Sequence, residues 1–273
     1  MLNISQLFIY PIKSLRGISL TSAIVTDRGL QNDRRWMIVD DKNKFLTLRE
    51  FPKMTLLKVG LLPDGIKVES LEQPGTNLEI PFQPDTDSLE SVTIWNATVE
   101  AKRVGKYADD WFSEMLGTHC KLVFMPENSM RPVDTTSGYS PEGKFTSFAD
   151  AYPFMMLGEA SMKDLNSRME IPLTINRFRP NIVFSGGFPF QEDEIENFKI
   201  NDISFTGLEN CTRCMIPNID PEKGIFNPDR EPLKTMMGYR LKNNKIEFGR
   251  NLVHQDTGII RVGDEIQLIK PGS

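Results

Sequence analysis

TLLKVGLLPDGIKVES, Thr55 to Ser70, sets two apolar runs on either side of Pro63-Asp64-Gly65. Proline presets one backbone angle and glycine supplies the freedom to reverse, so these three residues form a turn and the runs beside them form a hairpin. On the N-terminal side, RWMIVDDKNKFLTL repeats the pattern around Asp40-Asp41-Lys42-Asn43-Lys44. On the C-terminal side, VTIWNATVEAKRV repeats it around Trp95-Asn96-Ala97. Hairpins in series predict an antiparallel barrel or sandwich. The expected fold class is mainly β with a few helices (α+β), opening with an antiparallel β-barrel-like domain.

Further along, KYADDWFSEMLG places Tyr107, Trp111, Phe112, Met115 and Leu116 on one helical face, with Gly117 as the stop. CKLVFMP is another strand. The segment from Glu127 to Asp150 lacks periodicity and holds Pro132, Gly138, Pro141 and Gly143. A loop of that length in a compact protein is functional or disordered. YPFMMLG is a strand and EASMKDLNSRM a helix. PNIVFSGG and ISFTGL are strands, EPLKTMMGYR is a short helix with Pro232 in its first turn, and GIIRVGDEIQLI is a closing hairpin. The boundary falls between Gly117 and Asn128, which divides the chain into 1–120 and a β-rich second domain, 121–273.

Composition bounds the setting. At 273 residues, 39% hydrophobic and 25% charged, the chain has the make-up of a globular protein with a core large enough to need no staples. Three cysteines cannot build a disulfide framework. No apolar stretch reaches a membrane span, and MLNISQLFIYPIKSL lacks the basic-then-apolar pattern of a secretory leader. A reducing cytoplasm is therefore expected. A net charge of −5 argues against nucleic acid as a partner and makes any anion site a local exception.

ENCTRCMIPNIDPEKG, Glu209 to Gly224, carries Cys211 and Cys214 in C-x-x-C spacing. A thioredoxin-type dithiol needs a following helix to lower the thiol pKa, and Pro217 and Pro221 oppose one. A structural zinc site needs four ligands, and beyond this pair only Cys120, His119 and His254 remain as soft or borderline donors. The plain alternative is two small buried hydrophobes. A single metal-binding thiolate is the fourth reading. Arg213 adjoins Cys214 in sequence, and a positive neighbour stabilises a thiolate with affinity for soft metals.

Three other stretches suit an oxyanion. YPIKSLRG presents Lys13 and Ser14, NDRRW presents Arg34 and Arg35, and INRFRPNIVF presents Arg177, Arg179 and Asn181. If the last is a strand, Arg177 and Arg179 share a face. Solvated surface cations are the plain reading of each. No Walker or dinucleotide glycine pattern competes for the phosphate role.

CTRCMIPNIDPEKG resembles the signature of the molybdenum cofactor sulfurase C-terminal (MOSC) domain, a cysteine ahead of an Ile-Asp-Pro-x-x-Gly turn. YPIKSLRG, GLQNDRRWMIVD, RFRPNIVFSGG and FGRNLV…GIIRVGDEI resemble, in order, the other blocks of the family that carries an N-terminal MOSC β-barrel before the MOSC barrel. That family includes the mitochondrial amidoxime-reducing component and bacterial reductases of N-hydroxylated compounds. The resemblance implies a molybdenum–pterin cofactor (molybdopterin) lying between two β-barrel domains. It implies that Cys214 is the molybdenum ligand and catalytic residue, that Cys211 is not a ligand, and that the pterin dithiolene supplies two more sulfurs. Lys13, Ser14 and Arg34 match residues that hold the pterin and its phosphate. Arg179 and Asn181, with Arg177 and Arg213, complete the implied cofactor-binding set.

The implied activity is reduction of a small N-hydroxylated substrate to an amine or amidine. Electrons are expected from a separate donor, ferredoxin-like or a flavoprotein reductase, because no ferredoxin-type cysteines follow the last strand and no membrane anchor is apparent. The alternative implied by the same resemblance is a cofactor carrier or sulfur-relay module without turnover. In DAYPF, Ala151 and Tyr152 stand where the mitochondrial relatives have a small hydroxyl pair, so no hydroxyl contact is assigned there. Lys13, Ser14, Arg34, Arg179 and Asn181 are expected to converge at the domain interface.

Overall fold

The computed structural model describes residues 1–134 and 141–269. Gly138, in the long aperiodic segment, lies outside the described residues. Strands dominate, with three α-helices among the described residues: α1 Lys106–Leu116, α2 Glu159–Ser167 and α3 Leu233–Arg240. None of the described helices is long and apolar enough to cross a membrane.

Seven strands close into a barrel. In order these are Phe154–Gly158, Ile182–Ser185, Leu2–Ile9, Glu265–Leu268, Asn197–Ile200, Ile203–Thr212 and Lys245–His254, and the last pairs back onto the first. All contacts are antiparallel except that between Phe154–Gly158 and Ile182–Ser185. Strand alternation sorts the side chains. Leu2, Ile4, Leu7 and Ile9 fill the barrel with Phe154, Phe198 and Phe205. Phe8 and Tyr10 face the other way, into a second core with Phe178, Phe248, and Met162 and Leu165 of α2.

Seven further strands form a half-barrel. A four-stranded sheet runs Trp36–Val39, Lys121–Phe124, Ala97–Arg103, Leu89–Ile94, and a three-stranded sheet runs Leu57–Leu61, Gly65–Ser70, Asn77–Pro81. The turns at 63–65 and 95–97 join strands as expected, whereas the one at 40–44 closes only a single bridge, Val39 to Phe45. Helix α1 packs on Lys121–Phe124, buries Ala108 and Phe112 in the core that also holds Trp36 and Ile38, and ends at Gly117 with φ 66°. Tyr107, expected on that face, is exposed, because Ala108 one position on takes the inward direction.

The sheets interleave across position 120. Leu2–Ile9 is a stave of the closed barrel, Ser22–Thr26 pairs with Gly258–Arg261, and Lys121–Phe124 pairs with Trp36–Val39. GIIRVGDEIQLI is accordingly not a hairpin: Gly258–Arg261 bonds to Ser22–Thr26 while Glu265–Leu268 bonds to Leu2–Ile9 and Asn197–Ile200. INRFRP is not a strand either. Ile175–Phe178 is a 3-10 turn, Arg179 is left-handed with φ 57°, and the strand starts at Ile182.

Candidate active site

The C-x-x-C stretch sits where a barrel strand loses its register. Ile203–Thr212 slips against Lys245–His254 between Gly207 and Glu209 and again between Asn210 and Thr212. Such bulges bend a strand and redirect its side chains. Glu209, Cys211, Thr212 and Cys214 all line one cavity of about 200 Å³. After Cys214 comes a 3-10 turn, Ile216–Asn218, rather than the α-helix a thioredoxin-type dithiol requires.

The two cysteines differ. Cys211 is half-buried against the Phe178–Phe248 core. Arg213 Nη1 lies 3.0 Å from its Sγ, and Nη2 donates to Phe178 O at 2.8 Å. The guanidinium expected to serve Cys214 thus lies on Cys211. Cys214, also half-buried, lines both this cavity and a broader trough of about 730 Å³ bordered by Trp95, Arg131, Met237 and Lys245. Asp220 serves the turn that contains it. Its carboxylate accepts from Glu222 N at 2.9 Å and its carbonyl from Gly224 N at 2.8 Å, which caps the turn.

The zinc reading needs donors that lie in separate places. Cys120 is fully buried beside Ser113, the His119 ring meets Asp41 at the surface, and His254 Nε2 meets Thr26 O. Among the described residues no cluster of three or more His, Cys, Asp or Glu could hold a metal.

The cations converge beside the cysteines. A second cavity of about 70 Å³, lined by Lys13, Ser14, Arg34, Arg49 and Arg179, shares Arg34, Ala149, Asp150, Arg179 and Ile216 with the first. Three of these residues, Ser14, Arg34 and Arg179, have φ of 74°, 50° and 57°. Left-handed backbone is uncommon for non-glycine residues and persists only where surroundings impose it. Here Arg34 N donates to Tyr10 O at 2.9 Å and Arg179 N to Asn176 O at 3.0 Å. Both guanidinium carbons then lie 4.2 Å from the centroid of the Tyr10 ring. Arg34 pairs with buried Asp33 at 2.6 Å, and Arg179 Nη1 donates to Leu15 O at 2.8 Å. Burial, then the neighbouring Arg34 charge, pulls Arg179 down to about 10. Burial pulls Lys13 down to about 8 against the opposing pull of Asp150.

Asn181 lines the first cavity, but its side chain is committed. It donates to Phe8 O and accepts from Met155 N, each at 3.2 Å, so it locks two barrel strands. Arg177 is not brought to the cluster. It donates to Ile219 O at 3.0 Å and lines a separate cavity with Arg16 and Glu222, which meets the first at Arg179 and Ile216.

Several site residues carried no sequence signal. Asp150 accepts from Lys13 Nζ at 2.6 Å and from Trp95 Nε1 at 3.2 Å. Its side chain is 62% exposed, so desolvation opposes ionisation only in part, and the Lys13 ammonium holds the carboxyl well below the usual range. Arg131, itself buried, donates to the carbonyls of Ser147, Ala149 and Asp150 from behind. Tyr152 donates its hydroxyl to Glu209 across the first cavity, and burial together with that carboxylate raises the phenol. Their partners Lys13, Trp95 and Glu209 lie far away in sequence, and the bend at 147–152 brings them together.

The arrangement can hold an anion at the Lys13–Arg34–Arg179 end and one soft-metal thiolate at the other. A lone thiolate is too few ligands for a metal bound by protein alone. The residues therefore fit a metal that brings further ligands of its own, beside an anionic group at the cationic end.

A family model described as the MOSC N-terminal beta barrel domain matches residues 1–119, and one described as the MOSC domain matches residues 144–267. The chain is 32% identical over 284 residues to mitochondrial amidoxime-reducing component 1 of Mus musculus and 30% identical over 282 residues to that of Homo sapiens. In each case the match covers 97% of this chain and 82% of the relative. It is also 30% identical to the molybdenum cofactor sulfurase of Solanum lycopersicum, covering 96% of this chain and 35% of that protein.

Proposed function

The chain belongs to the family that joins a MOSC N-terminal β-barrel domain to a MOSC domain, and on that premise we propose that it is a molybdenum-cofactor-dependent oxidoreductase that reduces N-hydroxylated compounds to amines or amidines. The observation that carries this reading is the placement of Cys214 on a cavity that opens into a cationic pocket built by Lys13, Arg34 and Arg179. When bound, the cofactor supplies two-electron redox chemistry at molybdenum.

The residues divide the remaining work. Cys214 provides the one protein thiolate. Lys13, Ser14, Arg34 and Arg179 receive the anionic end of the pterin through charge-assisted hydrogen bonds. Because Arg34 and Arg179 are already fixed on Tyr10, they meet the ligand pre-oriented. Asn181 supports the cavity wall rather than contacting the ligand through a free amide. Arg213 fixes the position of Cys211. The trough beside Cys214 is open and gives a small N–OH substrate access to the thiolate end. Two electrons and two protons convert N–OH to N–H and water, with the electrons drawn from a separate ferredoxin-like or flavin-containing donor.

The test pairs the cysteines. With chain made in a host competent for cofactor synthesis, molybdenum content and benzamidoxime reduction with an artificial donor are measured for Cys214→Ser and Cys211→Ser. Serine is a hard, poor replacement for a soft ligand, so Cys214→Ser abolishes reduction. Cys211→Ser lowers affinity or activity by about 10–100-fold, as loss of a supporting contact does. Equal loss in both, or full activity in Cys214→Ser, refutes the single-thiolate assignment.

A cofactor carrier or sulfur-relay module is the second reading, favoured by the match to the cofactor sulfurases. Tight cofactor binding without catalytic turnover of a hydroxylamine would select it.

A further inference from the structure

One acid in the cation cluster has no part in the cofactor site as assigned. Asp150 borders both cavities and the trough, and it is the single acidic residue lining the small cavity beside Lys13 and Ser14. Its Oδ1 accepts both Lys13 Nζ, at 2.6 Å, and Trp95 Nε1, at 3.2 Å. Oδ2 takes no donor among the described residues. Trp95 reaches this position from a hairpin turn at φ 53°, a costly conformation for a bulky residue. Arg49, Arg131 and Arg179 add positive field around the carboxylate.

The Lys13–Asp150 pair is unequal: the lysine side chain is 8% exposed and the aspartate side chain 62%. A buried ammonium cannot leave for water, whereas the carboxylate reaches water by a side-chain rotation. The backbone beneath it stays fixed, because Arg131 holds the carbonyls of Ser147, Ala149 and Asp150. A buried cation without a counter-charge is expensive, so while Lys13 is protonated an anion accompanies it, beside the one carbonyl it donates to, Phe148 O at 2.9 Å.

We propose that Asp150 is a resident counter-ion: its carboxylate occupies the anion position between Lys13 and Trp95 in the ligand-free chain, and a phosphate group entering the Lys13–Ser14–Arg34–Arg179 pocket displaces it. This rests on the reading that the pocket takes the anionic end of a cofactor, and it specifies what that anion must exchange with. It makes Asp150 a competitor of the ligand rather than a contact for it. Asp150→Asn keeps the size of the side chain and removes both the repulsion and the strongest bond to be exchanged.

The probe is inorganic phosphate, titrated calorimetrically into the full chain prepared without cofactor, at about pH 6.5, where Lys13 is charged. Asp150→Asn binds phosphate about tenfold tighter than the natural chain, the order of one charge-assisted hydrogen bond. Asp150→Ser moves in the same direction and serves if the asparagine variant folds poorly. Lys13→Met removes most of the binding. Unchanged or weaker binding in both Asp150 variants, undetectable binding in all of them, or binding indifferent to Lys13→Met overturns the proposal. Molybdenum content is a separate readout. Tighter phosphate binding in a chain that never acquires molybdenum leaves the counter-ion standing and removes the cofactor assignment; a chain that does acquire molybdenum but whose Asp150 variants, prepared without cofactor, bind phosphate no better removes the counter-ion alone.

Discussion

Replacing Arg131 with methionine tests whether the segment that borders the anion pocket is held from behind. Arg131 is 5% exposed and donates to three carbonyls, those of Ser147, Ala149 and Asp150, the first two of them buried. Each hydrogen bond from a charged donor contributes about 1.5–3 kcal/mol, so their gross loss is roughly 5–9 kcal/mol. The opposing effect is relief of desolvation. Burial lowers the Arg131 pKa to about 10, and a neutral side chain escapes a cost of several kcal/mol per buried ion. Methionine fills similar volume but leaves two buried carbonyls without donors, so the balance stays unfavourable by about 2–4 kcal/mol. At roughly 2–4 °C per kcal/mol for a chain of this class, the melting temperature falls by about 5–15 °C. Arg131→Lys keeps the charge and reaches fewer carbonyls, and it recovers about half of the loss. The assay is a calorimetric or dichroic melt of all three proteins side by side. A methionine variant melting within about 2 °C of the natural chain would refute the clamp, since that corresponds to less than about 1 kcal/mol.

Lys13 gives a pH dependence. Its folded-state value of about 8 lies below its ordinary 10.5, so between those values the unfolded chain binds more protons and the Lys13 contribution to stability rises with pH. Anion affinity runs the opposite way and falls as pH climbs through about 8, because the ligand needs the ammonium; titrations with sulfate, whose own charge is constant there, at about pH 7 and 9 should differ in the natural chain, while the weak residual binding of Lys13→Met stays level. The cysteines give a labelling pattern. Cys120 is fully buried and its thiol is pushed up to about 11, chiefly by burial, while Cys211 and Cys214 are half-buried. An aromatic disulfide reagent at about pH 8 titrates two thiols in the native chain and the third only in denaturant. Three fast thiols, or one, would contradict this placement.

What could be read from the sequence followed from locality. Pro63-Asp64-Gly65 and Trp95-Asn96 lie inside the hairpins they form, and α1 ends at Gly117 because only the residues around it decide that. Strand partnership is not local. GIIRVGDEIQLI carries a good turn, yet its two strands bond to the opposite end of the chain. Arg177 and Arg179 look alternate on paper, but the 3-10 turn at Ile175–Phe178 and the left-handed Arg179 break the period of two. Pro180, which has no N–H to give a sheet ladder, was the local warning that the strand starts only after it. The cationic half of the site was legible because Lys13, Arg34 and Arg179 stand in recognisable blocks. Asp150, Trp95 and Arg131 were not, since each is an ordinary residue until the 147–152 bend meets the 95–97 turn.

Leu2–Ile9 is a barrel strand whose ring partners lie far later in the chain. It is made well before its two neighbours in the ring, Ile182–Ser185 and Glu265–Leu268, and only Ile18–Leu20 follows soon enough to pair with it at once. At about 5–20 residues per second it waits on the order of ten seconds or more for its place in the ring, with Leu7, Phe8 and Ile9 paired to Ile18–Leu20 in the interval. The half-barrel strands between Trp36 and Phe124 need no later residue for their sheets, so they can assemble in the interval and keep the leading segment tethered through the Ile12–Trp36 bridge. Vectorial synthesis thus imposes an order: the half-barrel forms first, and the seven-stave ring closes once the C-terminal strand appears. Lys13 and Ser14 sit on the tether itself, so the anion pocket takes shape only when that ring has closed.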